Sequence, residues 1–487
     1  MSYNHKISTK EISTQLTTPV EATAGLQVVV GTAPVNLAKD PTAVTNKPVI
    51  AYSFSEAAEL LGYSDDFASY TLCQSMDASF RVFSVAPIIF INVLDPTTHT
   101  KSYTGSNLAV SDGVAKIDDT GILLATLEVE TTADPAVSLT KDTDYTVTFD
   151  DDGKVLITLL DTAKTTGLTA VNVTATQLDP TKVTAADIVG GYDALTGKDS
   201  GLEVIRQIYP TLGLVPGLLL APGWSHNATV AAALKAKCEN INGLFTCECA
   251  IDMSTVTTKV YTGLNTAKAS LGVIDKHAVL LWPKVKLGTK VYYYSAVWAA
   301  MTAYCDAEHG DVPYKSPSNE ILNMSAAVLE DGTEVILDNS QAALVNSYGI
   351  VTAINDQGWK AWGNNTSIYP TSSDPKDRWI ACRRMMSWYR NHFILTYRDK
   401  VDDPTSYRLI ESVVDSENIY LNSLASAGSI AGGEVSFNEA DNPITSIING
   451  EIHFETKIAF WTPAEWIENV IEFDPTILQN ALTGGNE

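Results

Sequence analysis

Apolar residues recur along this chain in two rhythms, and each rhythm marks out a kind of element. Continuous apolar runs at 26–31, 87–94, 214–221, 244–251 and 278–282 have the length of strands covered on both faces. Amphipathic segments between them predict helices over 56–61, 65–80, 227–238, 256–270 and 291–307. In 65–80, Ala68, Leu72, Met76 and Phe80 recur every fourth residue. Ser53 or Ser55 is placed to cap the helix at 56–61, and Gly62 to end it. A further helix over 341–354 leads to Gly358-Trp359-Lys360-Ala361-Trp362-Gly363. Strand alternating with helix predicts a parallel sheet with helices on its faces.

The rhythm changes at Asp95-Pro96. Residues 96–184 hold three aromatics, no cysteine and many Thr and Asp. Strict alternation appears at 145–149 and 155–159, joined by Asp151-Asp152-Gly153, a strong hairpin signal, and 171–175 predicts another strand. This is an all-β module inserted in an α/β unit. The domain reading is therefore a core of 21–95 with 185–345, an inserted β-rich domain at 96–184, and a C-terminal α+β unit at 346–487.

Both ends differ from the middle. Residues 1–20 are Ser/Thr-rich, with sparse apolar positions at Ile7, Ile12 and Leu16, and predict an extended arm that cannot bury enough surface to fold alone. Near the other end, Ile452, Phe454, Ile458 and Phe460 share one face of a strand at 452–460, with His453, Glu455 and Lys457 on the opposite face. Residues 466–473, after Pro463, predict a second short strand.

Composition narrows the function. Of 487 residues, 45% are hydrophobic, enough for packed cores, and the net charge of −25 disfavours nucleic acid as a partner. No run approaches the roughly 18–20 apolar residues that cross a bilayer. Residues 1–10 carry no export-signal pattern, so the expectation is a cytosolic product whose six cysteines are reduced, buried thiols rather than metal ligands. Charge is also unevenly placed. Segment 376–408 has eight bases against four acids, and 411–487 has 13 acids against Lys457 alone. A basic segment joined to an acidic one is a head-to-tail pattern that closes within one molecule or links copies into a chain.

Chemistry-bearing motifs are few. Gly223-Trp224-Ser225-His226-Asn227 lies where a nucleophile elbow would, but lacks its last glycine, and Ser225 doubles as a helix cap. Gly191 to Lys198 has one residue too many for a phosphate-binding loop, and Asp199 stands where a Ser or Thr would hold magnesium. The seven histidines are scattered. Nothing predicts a cofactor, a metal or a catalytic pair. As a helix, 378–390 puts Trp379, Arg383 and Met386 near one another and Arg384 near Trp388, a mixed basic and aromatic face suited to a protein interface. Besides an assembling structural protein, two readings stand: a serine hydrolase using Ser225 and His226, and a surface-binding module using the β insertion.

Four blocks then stand in order. They are Asp187-Ile-Val-Gly-Gly-Tyr-Asp193 with Thr196-Gly-Lys and Gly201-Leu-Glu, then Pro216-Gly-Leu-Leu-Leu-Ala-Pro-Gly-Trp-Ser225 with Ala250-Ile-Asp252. Gly349-Ile350 with Trp362-Gly363-Asn-Asn-Thr366 follows, and then Asp377-Arg378-Trp379-Ile380 with Arg383-Arg384. The ordered set, spanning about 187–390, resembles the contractile tail sheath proteins of bacteriophages and phage-tail-like bacteriocins, relatives of the type VI secretion sheath. Asn365 departs from it where a basic residue is expected. The resemblance implies an α/β sheath core with an inserted β domain, a C-terminal α+β domain and extended terminal arms. It implies a subunit that polymerises helically around an inner tube and contracts without nucleotide to drive the tube through a cell envelope. Its implied partners are further copies of itself, the tube protein, and baseplate and tail terminator proteins. Its implied place is a virion tail or tail-like particle assembled in the host bacterial cytoplasm. On this reading Ile7, Ile12 and Leu16 with Ile452, Phe454, Ile458 and Phe460 form strands shared between copies, largely unsupported in a single subunit. Arg378, Arg383, Arg384 and Trp388 supply a charged contact with the tube or an acidic neighbour.

Overall fold

The computed structural model describes residues 23–483; the expected arm at 1–20, with Ile7, Ile12 and Leu16, lies outside them. Strand β1 (Gln27–Gly31) is buried at every position, because the sheet it belongs to is covered on both faces. It pairs in parallel with β3 (Ile88–Asn92), which pairs antiparallel with β2 (Pro48–Ala51). Between β2 and β3, helix α1 (Phe54–Leu61) begins at Ser53, whose hydroxyl accepts from the Glu56 N–H, and ends at Gly62. Gly62 has φ +76°, and a Cβ there would lie 2.2 Å from the Pro34 carbonyl oxygen, so both the turn and the close approach require glycine.

The helix expected over 65–80 is shorter. Helix α2 (Leu72–Met76) continues as a wider π-helical turn over Asp77–Val82. Ahead of it, Thr32 and Thr71 bond each other's backbone N–H (3.0 and 3.2 Å) and the Leu72 N–H donates to the Thr32 carbonyl. These tertiary bonds draw the preceding residues off the helix path, and Ala68 is left exposed.

A second sheet follows: β4 (Thr100–Ser111), β5 (Val114–Ile117), β6 (Glu128–Thr131), β7 (Ser138–Leu139), β8 (Tyr145–Phe149), β9 (Val155–Leu159) and β10 (Ala170–Leu178). Their spatial order is β7-β6-β10-β4-β5-β9-β8, all antiparallel, around a core of its own that includes Ile117, Val129, Tyr145, Ile157 and Val173. The hairpin β8–β9 turns at the Asp-Gly pair. The first and last strands are neighbours: Thr100 faces Leu178, and the Asp179 N–H donates to the His99 carbonyl at 2.8 Å.

The chain then makes a small hairpin, β11 (Gly191–Asp193) with β12 (Lys198–Ser200), and returns to the first sheet as β13 (Leu218–Leu220), β14 (Glu248–Asp252) and β15 (Ala278–Leu281). Helices α3 (Ala228–Glu239) and α4 (Leu264–Leu271) connect these strands. The stretch at 256–263 is turn and 3-10 structure rather than the expected helix start, with Val256 and Val260 exposed. Likewise 290–292 is not helix. Strands β16 (Lys284–Leu287), β17 (Lys290–Tyr292) and β18 (Ala326–Val328) make a small antiparallel sheet, and α5 (Tyr294–Glu308) starts directly after β17 and precedes β18. Trp298 on α5 is completely buried.

The helix expected over 341–354 divides into α6 (Asn339–Ser347) and strand β19 (Ile350–Asn355). Gly349 makes the break: its φ is +72°, and a Cβ there would sit 2.5 Å from the Tyr369 carbonyl oxygen. A left-handed residue ends the helix, and β-branched Ile350, Val351 and Thr352 carry the chain into the sheet. Strand β20 (Trp359–Trp362) closes the edge. The eight-stranded order is β2-β3-β1-β13-β14-β15-β19-β20, parallel from β3 to β19 with an antiparallel strand at each edge.

Because the ends of the second sheet meet, replacing residues 100–178 by a short Gly-Ser turn should leave the remaining fold intact. Its thermal midpoint should stay within about 5 °C of the full chain by calorimetry. A collapse to an unfolded species would show that the insertion supports the core.

Candidate assembly interface

The C-terminal unit hangs on one helix, α7 (Ile380–Tyr397). Its polar side faces the α/β core and is buried. The Arg384 guanidinium, 2% exposed, forms a fork on both oxygens of Asp306, in the last turn of α5, and also donates to the Ala24 carbonyl. Burial opposes charge on Arg384, but the Asp306 carboxylate outweighs it and holds the guanidinium above its ordinary range. Arg383 reaches Asp377 (3.3 Å), Ser387 (3.4 Å) and Glu248 (3.8 Å), and Ser387 donates to Glu248 at 2.6 Å. One turn on, the Asn391 amide brackets the backbone N–H and carbonyl of Thr246 (3.0 and 2.7 Å).

These residues were expected at an interface with another molecule. The structure places Arg383, Arg384 and Trp388 inside their own chain. Their acidic partners are in the core, beyond the reach of a reading based on neighbours along one helix. Buried guanidinium groups already paired with Asp306 and Glu248 are not free for a surface contact with the tube. Arg378 alone of the four keeps a partly exposed side chain.

The other side of α7 packs on α8 (Tyr407–Ser426) in a separate apolar cluster with Met385, Trp388, Tyr389, Leu421, Leu424 and Val435. Helix α8 starts at Ser406, whose hydroxyl accepts from the Leu409 N–H, and buries Val413, Leu421 and Leu424 along one stripe. It carries strand β21 (Gly432–Ser436): the Asn418 amide brackets the Val435 N–H and carbonyl, both at 2.8 Å. A Cβ on Gly433 would meet Leu421 at 3.2 Å, so the strand lies close against the helix.

Strand β22 (Glu455–Ala459) pairs antiparallel with β21. The expected alternation holds, with Ile452, Phe454, Ile458 and Phe460 half-buried and His453, Glu455 and Lys457 exposed. Phe454, Ile458 and Phe460 pack on the α7–α8 cluster, which corrects the expectation of a strand left unsupported in a single subunit. Hydrogen bonding to β21 and that apolar face hold it. Among the described residues this sheet has two strands, so the outer edge of β22 is unpaired.

The expected second strand at 466–473 does not form. That segment has no regular secondary structure and is followed by the short helix α9 (Pro475–Leu482). Trp466 (82%), Ile467, Val470, Ile471 and Phe473 (77%), and then Ile477, Leu478 and Leu482, all face outward. A lone strand has no partner for its backbone groups, and so much apolar surface on one tail is the signature of an interaction segment.

The catalytic alternative fails on geometry. Ser225 is fully buried; its hydroxyl donates to the Asp252 carboxylate (3.1 Å) and accepts the Asp252 N–H (2.9 Å). Ser295 supplies two more hydrogen bonds to that carboxylate, which burial pushes above its ordinary range. His226 stacks on Tyr293 instead, and its Nδ1 has no hydrogen-bond partner, so the two residues form no relay. Residues 191–198 make the β11–β12 hairpin, whose turn is held by Asp193 accepting from Leu195 and Thr196. Among the described residues no group of three potential ligands is placed to hold a metal.

No protein-family profile matches this chain. It is 25% identical over 500 residues to the tail sheath protein of Burkholderia phage BcepMu, covering 100% of this chain and 99% of that one. It is 26% identical over 303 residues to a putative prophage major tail sheath protein of Pseudomonas aeruginosa, covering 61% and 74% of the two chains. In fold it matches the contracted sheath complex of the PVC extracellular contractile injection system (TM-score 0.58, 15% identity, 98% and 99% covered). It matches the contracted helical sheath of the anti-feeding prophage equally well (0.58, 16%, 97% and 99%). These likenesses define a structural class, subunits of contractile assemblies. End to end, this chain is similar to contractile tail sheath proteins, the family that its ordered motifs resemble.

Replacing Arg384 by Ala strands the Asp306 carboxylate in the core. The variant should lose roughly 3–5 kcal/mol of stability in urea unfolding. Hydrogen exchange should rise first in α7 and α8.

Proposed function

We propose that this chain is the structural subunit of a contractile tail sheath. It polymerises helically around an inner tube and contracts to drive that tube through a cell envelope. The observation that carries this is a periphery that does not close on itself. Beside well-filled cores, the described residues include an unpaired strand edge and a tail of exposed apolar side chains, on a chain matched end to end by a phage tail sheath protein. Each large apolar side chain is worth roughly 1.5–3 kcal/mol when it passes from water into a neighbour. An open edge adds directional backbone hydrogen bonds. A head-to-tail contact of this kind does not close on a pair and so grows into a helical polymer.

On this reading the arm at 1–20 and the tail at 466–482 are lent to neighbouring copies, and the edge of β22 receives such a segment. Chains tied together in this way stay connected while their bodies rotate from the extended to the contracted lattice. The free energy of contraction then comes from new contacts between bodies, without nucleotide or cofactor. Partners are further copies, the tube protein, and baseplate and tail terminator proteins, and the setting is a virion tail or tail-like particle assembled in the bacterial cytoplasm. The protein is not an enzyme. Its net charge of −25 keeps free subunits soluble and repels nucleic acid.

Two truncations test this, one lacking residues 1–20 and one ending at residue 464. Each should give folded monomers by circular dichroism and sedimentation. By negative-stain electron microscopy each should give neither tubes nor rings at concentrations where the full chain assembles. Intact sheaths from either would remove that segment from the proposed lattice.

A further inference from the structure

The tail leaves the body at one well-built point. After β22, the Trp461 indole donates to the Gly428 carbonyl (3.0 Å), and the Cys382 thiol lies 3.5 Å from the Trp461 carbonyl oxygen. Four residues on, Glu465 meets Arg378 at 2.9 Å. Beyond it, the large apolar residues from Trp466 to Phe473 all point to solvent.

Arg378 is held by its own surroundings as well as by Glu465. Its guanidinium lies 3.9 Å from the Trp379 ring centroid and 4.3 Å from that of Tyr369. Its Nε donates to the Asn365 side-chain oxygen at 2.7 Å, and Asn365 is itself buried. Its backbone carbonyl accepts from the Thr366 N–H at 2.8 Å. A planar cation held by two aromatic rings and one amide has lost most of its rotamer freedom before the carboxylate arrives, so little more is spent in binding it. Alongside is a cleft of about 540 Å³ lined by polar side chains, among them Ser318, Asn319, Asn346 and Asn364, which residues 463–465 border.

We propose that Arg378 is an exit clamp for the C-terminal arm. It captures Glu465 and fixes the point and direction from which residues 466–482 are presented to a second copy of this chain. The purpose of the clamp rests on the reading above that this tail is lent to a neighbour; the clamp itself is a property of one subunit. The tail carries further carboxylates at Glu468, Glu472 and Asp474, so capture of Glu465 in particular sets how much chain is free to reach a neighbour. Lysine cannot replace arginine here, because an ammonium neither stacks between the rings nor spans Asn365 and Glu465 with one rigid fork.

The test is a distance between spin labels at Ser340→Cys, on α6, and Val470→Cys, on the tail, in the full chain under conditions that keep it monomeric. The parent should give a narrow distribution. Glu465→Arg and Arg378→Lys should each widen it at least two-fold, Glu465→Gln should widen it less, and Glu468→Gln should leave it unchanged. An unchanged width in Glu465→Arg, whose side chain is 40% exposed and whose replacement does not threaten folding, overturns the clamp. Sheath yield by sedimentation is read separately, and Glu465→Arg should lower it about ten-fold. A widened distribution with full sheath yield would keep the clamp but overturn the lent-arm reading that gives it a purpose.

Discussion

The buried fork between Arg384 and Asp306 is the constraint on which the rest of the C-terminal unit depends. Both charges are out of water, and their mutual attraction repays desolvation only in good geometry. Such a pair adds little to stability over an apolar filling, but it accepts almost no alternative arrangement, since displacement leaves a bare charge in the core. With Arg383 on Glu248 and Asn391 on the backbone of Thr246, it sets one orientation of α7 on the parallel sheet. Helix α8, the β21–β22 hairpin and the exit of the tail all take their positions from α7.

From that seam outward the molecule changes character. The two sheets enclose apolar cores, whereas among the described residues the β21–β22 pair has an unpaired edge and the tail displays large apolar side chains. Soluble monomers ordinarily protect such edges and bury such residues. Keeping both, on a rigid mount and under a strongly acidic surface, suits a subunit that stays apart in dilute solution and joins copies when concentrated. The Arg378–Glu465 contact lies at the boundary between these regimes, where ordered body gives way to projecting arm.

Much of the fold was legible in the chain. Continuous apolar runs became parallel strands, and the Asp-Gly hairpin and the alternation at 452–460 appeared as read. The misses share a cause. The helix over 65–80 lost its first turns to hydrogen bonds with Thr32, and the helix over 341–354 was cut by Gly349, whose left-handed backbone is enforced by the approach of Tyr369. Periodicity registers neither, because both partners are distant in sequence. Ser225 likewise had the position of a nucleophile, and only the arrival of Asp252 showed it to be a buried structural hydroxyl.

Residue order alone determined the alternation of strand and helix, the existence of the inserted β sheet, the concentration of arginines ahead of an acidic tail, and the ordered motifs that resemble those of tail sheath proteins. These are local properties of spacing, turn chemistry and composition. Which way the arginines face was decided only in three dimensions. A guanidinium turns inward when a carboxylate is there to receive it, and for Arg384 that carboxylate comes from 78 residues away. The same is true of the tail, whose exposure means that nothing among the described residues covers it, a fact no window of sequence contains.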